Sequence, residues 1–244
     1  MTEKGIYLGQ LRALGIKSGD AVLVHSSMKA IGTALSPTEI LDVLQEAVGA
    51  DGTLLLPALT YENVTEEHPV FDSRTSVPCI GLLPRTFQAL PDVLRSAHPT
   101  HSVCARGKLA ETLTAAHILD NTPVGPHSPF MRLADCGGKL LFIGEVVDCC
   151  TFMHGLEEIA GVDYVLNRDT TAYIVNGEQR DYFTHDFSTV EAQRYSRIKS
   201  LPGIKMQQGL LGHAPCYLFD AQDLRERALA QLHRDPHFFV QIKQ

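Results

Sequence analysis

Side chains that could move protons are concentrated in the segment from Asp148 to Glu158, which reads Asp-Cys-Cys-Thr-Phe-Met-His-Gly-Leu-Glu-Glu. On a helix, His154 and Glu157 would share one face, with Glu158 four residues from His154. A carboxylate beside an imidazole fixes its tautomer and stabilises its protonated form, which prepares a general base. Asp148, near the start of such a helix, is placed to bind a substrate amine. The alternative interpretation is an ordinary surface His–Glu pair.

Two further polar segments could bind a ligand through hydroxyl and backbone groups. His25, Ser26 and Ser27 directly follow a predicted buried strand, where free N–H groups and hydroxyls can hold a phosphate or a carbonyl. Pro99 keeps the segment His98–Ser102 extended, so its backbone is available to an elongated ligand. The alternative for the first segment is local helix capping, and the alternative for the second is a plain polar loop.

A set of carboxylates in and after the polar stretch that follows Tyr61 would suit a cationic ligand: Glu62, Glu66, Glu67, Asp72, Asp181 and Asp186. At roughly 4 Å each contact with an ammonium group is worth on the order of 1 to 4 kcal/mol, depending on screening. The alternative is a solvated acidic face. The six cysteines are scattered and the histidines lack a familiar ligand spacing such as His-Glu-x-x-His, so we expect no metal.

Composition restricts the class of protein. The chain has 244 residues, 44% of them hydrophobic and 20% charged, which predicts one globular domain over residues 1–244. A net charge of −7 argues against binding to nucleic acid or to an anionic membrane. The apolar runs are too short for a membrane helix and the N-terminus has no apolar signal core, so we expect a cytoplasmic protein.

The elements that must position these residues alternate between strands and helices. Apolar runs predict buried strands at Ala21–Val24, Thr53–Leu59 and Lys139–Gly144. Helices are expected at Tyr7–Leu14, from Ser36 to Val48, Gly81–Leu90, Lys108–His117, Thr151–Ala160, Val190–Ser200 and Asp220–Leu232. Pro123–Pro129 reads as a loop and Asn176-Gly177 as a hairpin turn. The pattern predicts an α/β fold with a mixed sheet and helices on both faces, and ligands in such sheets bind beyond the carboxyl ends of strands.

Taken in order, several segments resemble the aminoglycoside 3-N-acetyltransferase family over nearly the whole chain. The matching residues are His25-Ser26-Ser27-Met28-Lys29-Ala30-Ile31-Gly32, Phe71-Asp72, Gly81-Leu82-Leu83-Pro84, Leu94-Arg95-Ser96, His98-Pro99-Thr100-His101-Ser102-Val103, Gly125-Pro126-His127-Ser128-Pro129, Asp148-x-x-Thr151-x-x-His154-x-x-Glu157-Glu158 and Gly209-x-x-Gly212-x-Ala214.

The resemblance implies a three-layer α/β/α fold and transfer of an acetyl group from acetyl-CoA to the 3-amino group of the 2-deoxystreptamine ring of aminoglycoside antibiotics. It implies that His154 is the general base and that Glu157 orients it. The residues that would line the coenzyme A cleft are His25, Ser26, Ser27, Thr100, Ser102, Val103 and Ser128. Those that would face the amino sugar are Asp72, Asp148, Glu158 and Asp186. The expected partners are coenzyme A and a cationic amine, with the protein a monomer or homodimer.

The sequence departs from the family pattern at three places. The chain is shorter than well-known resistance enzymes, Ser73 follows Asp72 where proline is common, and Cys104 stands where a small residue is usual. These differences leave open an acetyltransferase for another amine. The alternatives from other classes are a metal-dependent hydrolase using His25, His98, His101 and His154, and a binding protein without catalysis.

Overall fold

The backbone of residues 2–243, which the computed structural model describes, forms three sheets and eight α-helices. The strands are β1 (Ala21–Ser26), β2 (Thr53–Pro57), β3 (Val70–Phe71), β4 (Leu94–Arg95), β5 (Val103–Gly107), β6 (Lys139–Ile143), β7 (Leu166–Val175), β8 (Glu178–His185), β9 (Val190–Gln193), β10 (Met206–Leu211), β11 (Ala214–Asp220) and β12 (Val240–Ile242). The helices are α1 (Glu3–Leu14), α2 (Met28–Ile31), α3 (Pro37–Val48), α4 (Leu82–Gln88), α5 (Ala110–Thr114), α6 (Pro129–Asp135), α7 (Thr151–Ala160) and α8 (Ala221–Arg234). Short 3₁₀ helices occupy Ala115–Leu119, Val147–Cys149 and Tyr195–Ser200.

The central sheet has seven strands in the order β10-β11-β6-β1-β2-β5-β4. β1 is parallel to both β2 and β6, with Leu23 opposite Leu55 and Leu140. The outer pairings are antiparallel, which makes the sheet mixed. The carboxyl ends of β1, β2 and β6 therefore meet at one edge, where α/β proteins bind ligands.

Alternate residues of the central strands enter two separate cores. Val22 and Val24 pack on one face against α1 and α3, whereas Leu23 packs on the other face among residues of α5, α6, α7 and α8. Because strand side chains point alternately to opposite faces, a continuous apolar run is the pattern of a strand covered on both sides. The predicted three-layer architecture with helices on both faces is confirmed.

Two small sheets lie outside the central one. β7 and β8 form an antiparallel hairpin with β3 parallel to β7, and β9 pairs with β12. Asn176 and Gly177 connect the hairpin with φ of 51° and 90°, the left-handed conformation that the tight turn requires. The hairpin contacts the rest of the chain at several points, one of them the Phe183 N–H, which donates to Asn121 O at 2.8 Å.

Most predicted elements are present. The three predicted buried strands correspond to β1, β2 and β6, and α7 spans Thr151–Ala160 as predicted. The capping box at the start of α3 is formed: Glu39 N donates to Ser36 Oγ, and Ser36 N donates to Glu39 Oε2 at 2.9 Å. No helix within residues 2–243 is both long and apolar enough to cross a bilayer.

Three predictions of secondary structure need correction. Val190–Ser200 is not one helix, because Val190–Gln193 pairs with β12 and Tyr195–Ser200 forms a 3₁₀ helix. The predicted helix Lys108–His117 divides into α5 and a 3₁₀ helix. The end of the predicted loop Pro123–Pro129 is a helix start, since Ser128 Oγ accepts from Met131 N at 3.3 Å with proline at the first helical position.

Candidate active site

A cleft of about 830 Å³ lies between the carboxyl ends of β1 and β2 and the small β3-β7-β8 sheet. Its lining includes His25 and Ser26 from β1, Pro57 from β2 and residues of β7 and β8. His154, on the first turns of α7, also lines it. The most reactive of the predicted side chains is thus held at the edge of the sheet where ligands bind in this class of fold.

His154 is held by a buried carboxylate one helical turn away. Its Nδ1 lies 3.3 Å from Glu157 Oε2 and 3.0 Å from the Tyr195 hydroxyl, and its side chain is 13% exposed while that of Glu157 is 0% exposed. With the proton assigned to Nδ1, that N–H donates to these two oxygens. The lone pair of Nε2 is then free to accept a proton from a molecule in the cleft, as a general base requires.

Two tyrosines satisfy the buried Glu157 carboxylate. Tyr195 donates to Oε2 at 2.7 Å and Tyr164 donates to Oε1 at 2.9 Å. Burial, and then the nearby Glu157 charge, raise the pKa of both phenols well above the usual value, so both stay protonated and act as donors. A buried carboxylate is stable only when its oxygens accept hydrogen bonds, and these tyrosines supply them.

A second His–Glu pair lies beside the first. The Glu158 carboxylate accepts from Val124 N at 2.8 Å and lies 2.7 Å from His185 Nε2, while the His185 ring packs edge-on against the His154 ring at 4.9 Å between centroids. Burial raises the pKa of Glu158 to about 7. Burial, and then the charge of His154, hold the pKa of His185 well below 6.5, so His185 is neutral near pH 7.

The remaining histidines of this region are buried and uncharged. Burial, and next the proximity of His154, lower the pKa of His25 to about 3, and burial lowers that of His117 to about 3. The pKa of His98 and that of His101 also lie well below 6.5, chiefly because of burial. These four imidazoles are therefore unprotonated near pH 7.

Of the residues expected to bind coenzyme A, the structure places His25, Ser26 and Thr100 on the cleft lining. The His25 ring stacks on Phe142 at 5.1 Å, and its buried Nε2 has no hydrogen-bond partner among the described residues. The expected extended segment His98–Ser102 is instead a turn at residues 99–101, because His98 Nδ1 accepts from Thr100 N at 3.2 Å and from His101 N at 3.1 Å.

The other four expected coenzyme A residues lie off the cleft lining, and their coenzyme A roles stay predictions. Ser27 and Ser128 are the N-caps of α2 and α6. Ser102 Oγ donates to Ala58 O at 2.8 Å, which ties two strand ends together. Val103 is fully buried in the core formed with α5 to α8. The three hydroxyls thus make hydrogen bonds within the protein, and the Val103 side chain packs in the core.

The acidic residues are dispersed. Asp148 lines the cleft and accepts from Ser196 N at 2.6 Å, and Glu158 lies behind His185. Asp72 pairs with Arg74 at 3.1 Å, and Asp186 caps Ser188 N at 2.8 Å, both away from the lining.

Several residues of the site were not identified from the sequence. Tyr164, Tyr195 and His185 contact the two glutamates. Further cleft residues come from the small sheets, the segment between β8 and β9, and the loop after β2: Tyr61, Thr65, Asn167, Thr171, Tyr173, Thr184, Phe187 and Gln193. Only the polar stretch after Tyr61, which was too long for a simple connection, carried a signal. The others depend on long-range packing.

The hydrolase alternative requires His25, His98, His101 and His154 to converge on a metal. No group of three or more potential ligand side chains is placed to hold a metal among residues 2–243. His98 points its Nδ1 at backbone N–H groups and stacks on His117 at 4.9 Å. The geometry therefore gives no support to metal-dependent hydrolysis.

Comparison of the sequence with protein families finds one described as aminoglycoside 3-N-acetyltransferase, which matches residues 23–233. Aminoglycoside N(3)-acetyltransferase III of Serratia marcescens is 32% identical, with 88% of this chain and 91% of that protein aligned. Aminoglycoside N(3)-acetyltransferase IV of Salmonella sp. is 34% identical, with 97% of this chain and 90% of that protein aligned.

Solved structures are similar over the same extent. The aminoglycoside acetyltransferase AAC(3)-IVa in complex with a gentamicin superposes with a TM-score of 0.82 at 29% identity, covering 97% of this chain and 90% of that one. AAC-IIIb in its binary complex with CoASH superposes with a TM-score of 0.81 at 29% identity, covering 95% of this chain and 96% of that one.

Proposed function

The chain belongs to the aminoglycoside 3-N-acetyltransferase family, and we propose that it transfers the acetyl group of acetyl-CoA to the 3-amino group of the 2-deoxystreptamine ring of an aminoglycoside. The observation that carries the proposal is the His154–Glu157 pair, oriented by Tyr195 and facing a large cleft. We take residues 1–244 as one acetyltransferase domain, since the cleft is lined from both the central and the small sheet.

His154 supplies the base that this chemistry needs. An ammonium group has no lone pair, so the acceptor nitrogen must be unprotonated when it attacks a thioester carbonyl. Nε2 of His154 removes the proton that the nitrogen loses as the C–N bond forms, and the Glu157 carboxylate stabilises the resulting imidazolium. The same proton is then available to the sulfur as the C–S bond breaks, so His154 ends the cycle neutral.

The chain has groups suited to hold acetyl-CoA, which supplies the thioester carbonyl when bound. One part of the cleft lining is apolar, comprising Val24, Pro57, Leu59, Ile80, Pro84 and Val146, and suits the uncharged arm that carries the thioester. His25, Ser26 and Thr100 add polar groups there, including the unpartnered Nε2 of His25. Lys and Arg are absent from the lining within residues 2–243, so we place the phosphates beyond its rim.

The acceptor then occupies the part of the cleft lined by β7, β8 and the loop after β2. Glu66, on the loop after β2, and Asp148, in the 3₁₀ helix after β6, are the lining carboxylates that would bind its ammonium groups. AAC(3)-IVa has been solved with a gentamicin and AAC-IIIb with CoASH, and the similarity of this chain to both supports one cleft for both substrates.

Release of free thiol from acetyl-CoA tests the proposal, with gentamicin-, kanamycin- and neomycin-type acceptors and plain amino sugars as controls. We expect turnover with 2-deoxystreptamine compounds, unchanged by a chelator, and an acetyl group on the 3-amino nitrogen by NMR of the product. No turnover with any of them, while coenzyme A still binds, would refute the aminoglycoside assignment.

A further inference from the structure

The segment that follows α8 lies against the residues that hold the catalytic pair. It comprises residues 235–242, ends in β12 and buries Phe239 in the core formed with α5 to α8. We call it the post-α8 segment. It is far from His154 in sequence, and none of residues 235–242 lines the cleft. Any effect of this segment on the reaction therefore passes through other side chains.

The first contact of the post-α8 segment is with Tyr164, one of the two tyrosines on Glu157. The Tyr164 hydroxyl donates to Glu157 Oε1 at 2.9 Å, and Pro236 O lies 3.1 Å from the same hydroxyl. The His237 ring packs beside the Tyr164 ring at 5.7 Å between centroids, and its Nε2 lies 3.2 Å from Asp163 Oδ1. These contacts fix the phenol in the position from which it reaches Glu157.

The second contact fixes the backbone that carries Tyr195. β12 pairs with β9, and directly before Tyr195 the Arg194 N–H donates to Phe239 O at 2.8 Å. The Tyr195 hydroxyl lies 3.0 Å from His154 Nδ1 and donates to Glu157 Oε2 at 2.7 Å. A shift of β9 would therefore move one hydroxyl that contacts both members of the catalytic pair.

A small apolar core joins these two contacts. Val240 of β12 packs in it with Tyr164, and Phe187 packs against it. The Phe187 ring lines the cleft and lies 5.0 Å from the His154 ring between centroids. β12 is therefore linked to His154 by apolar packing as well as by hydrogen bonds.

From these contacts we infer that the post-α8 segment is a positioning element of the active site, which keeps Tyr164 and Tyr195 on the Glu157 carboxylate. The inference rests on the proposed function, in which Nε2 of His154 is the base. Two oxygen acceptors at Nδ1 favour the tautomer that carries its proton there and leaves the Nε2 lone pair free. If these acceptors are displaced, the tautomer with its proton on Nε2 becomes populated, and that ring cannot accept a proton from the substrate at Nε2.

A chain that ends at Phe239 tests the inference, because it loses β12 and keeps both Phe239 in the core and Pro236 beside Tyr164. At a temperature well below its unfolding midpoint, we expect kcat for thiol release to fall about tenfold, with KM for both substrates within about threefold. A chain that ends at Ile242 keeps β12 and should retain the parent kcat. An unchanged kcat in the chain that ends at Phe239, or an equal loss in both shortened chains, would overturn the inference.

Coupling to Tyr195 shows whether β12 acts through the catalytic pair. Tyr195→Phe removes the hydroxyl on which β12 would act, so in that background we expect shortening at Phe239 to lower kcat by no more than about threefold, against about tenfold in the parent protein. A tenfold loss in both backgrounds would show that β12 acts elsewhere and would overturn the inference.

The tautomer of His154 gives a readout that needs no turnover and a full-length variant. In protein labelled with ¹⁵N-histidine, at pH 8, the shifts of the two ring nitrogens, assigned by comparison with His154→Ala, report which of them bears the proton. We expect the Nδ1–H form in the parent protein and a larger Nε2–H fraction in Tyr164→Phe, which removes the hydroxyl between Pro236 O and Glu157 Oε1.

Tyr182→Phe is the matched control, since that hydroxyl is also buried but has no hydrogen-bond partner among the described residues. We expect its His154 shifts to match those of the parent protein. Equal tautomer fractions in Tyr164→Phe and Tyr182→Phe would overturn the inference. The expected difference, in a protein that releases no thiol with any acceptor, would refute the proposed function and leave the inference standing.

Discussion

Replacement of Glu157 by glutamine removes the charge behind His154 and keeps a side chain of nearly the same shape. The carboxylate is fully buried, 3.3 Å from His154 Nδ1, and accepts from Tyr164 and Tyr195. A glutamine oxygen can still accept one of these bonds, and a phenol hydroxyl can accept from the new amide N–H. We therefore expect Glu157→Gln to fold and to affect the reaction chiefly through the lost charge.

The size of the effect follows from the distance. Two unit charges about 3.3 Å apart interact by about 5 kcal/mol at an effective dielectric constant of about 20. Part of this is recovered by the amide dipole and by solvent that enters the cleft, so we expect a loss of about 1.4 to 2.7 kcal/mol of transition-state stabilisation. That corresponds to a fall in kcat of about 10- to 100-fold near pH 7.

The split between kcat and KM separates a positioning role from general damage. Glu157 acts through His154 and does not line the cleft, so its replacement should lower kcat and leave KM for both substrates within about threefold. The assay is thiol release from acetyl-CoA at pH 7. A kcat within about threefold of the parent protein, or a KM that rises as much as kcat falls, would refute the reasoning.

Glu158→Gln is the matched control, since the same substitution one residue along α7 affects a carboxyl that contacts His185. Burial already raises the pKa of Glu158 to about 7, so the control removes only part of a charge near neutral pH. We expect its kcat to change by less than about threefold at pH 7. An equal loss in both variants would show that α7 is disturbed and that the Glu157 charge is not specific to His154.

Two further predictions concern stability and access. Burial lowers the pKa of His25 and His117 from 6.5 to about 3, so on acidification the unfolded chain takes up these protons before the folded protein does. Each site therefore lowers the free energy of unfolding by about 1.4 kcal/mol per pH unit below about pH 6.5. The urea concentration at the midpoint of unfolding should fall between pH 7 and 5.5, and an unchanged midpoint would contradict this. Cys149 lines the cleft and Cys136 is exposed elsewhere. Bound acceptor and coenzyme A should therefore slow the alkylation of Cys149 at least about fivefold, measured by peptide mass spectrometry, and leave that of Cys136 unchanged. Equal protection of both cysteines would show that the substrates do not bind in this cleft.

The layered fold could be predicted because its signals are local. The apolar runs of β1, β2 and β6 identify strands buried on both faces, and Ser36 with Glu39 identifies a helix start. The edge strands carried weaker signals: β9 looks helical in isolation and becomes a strand only by pairing with β12, about fifty residues later. Pairings at that separation depend on tertiary contacts that residue patterns do not report.

The residues of the site also divide into those with a local sequence signal and those that depend on long-range contacts. His154 and Glu157 were identified because helical periodicity places them on one face. Tyr164 and Tyr195, which fix Glu157, come from irregular segments whose approach to α7 has no periodic signal. The coenzyme A roles expected for Ser102 and Ser128 come from motif resemblance and stay predictions; the structure shows both hydroxyls in contacts at a strand end and at a helix start.

The central claim is that His154 removes the proton from the attacking amine, and His154→Ala tests it most directly. Thiol release would be measured with a 2-deoxystreptamine acceptor, together with the dissociation constant for coenzyme A and with His68→Ala, an exposed histidine off the cleft lining, as the control. We predict a fall in kcat of about 10²- to 10⁴-fold with coenzyme A affinity kept and the control unaffected. Near-normal turnover in His154→Ala would contradict the account.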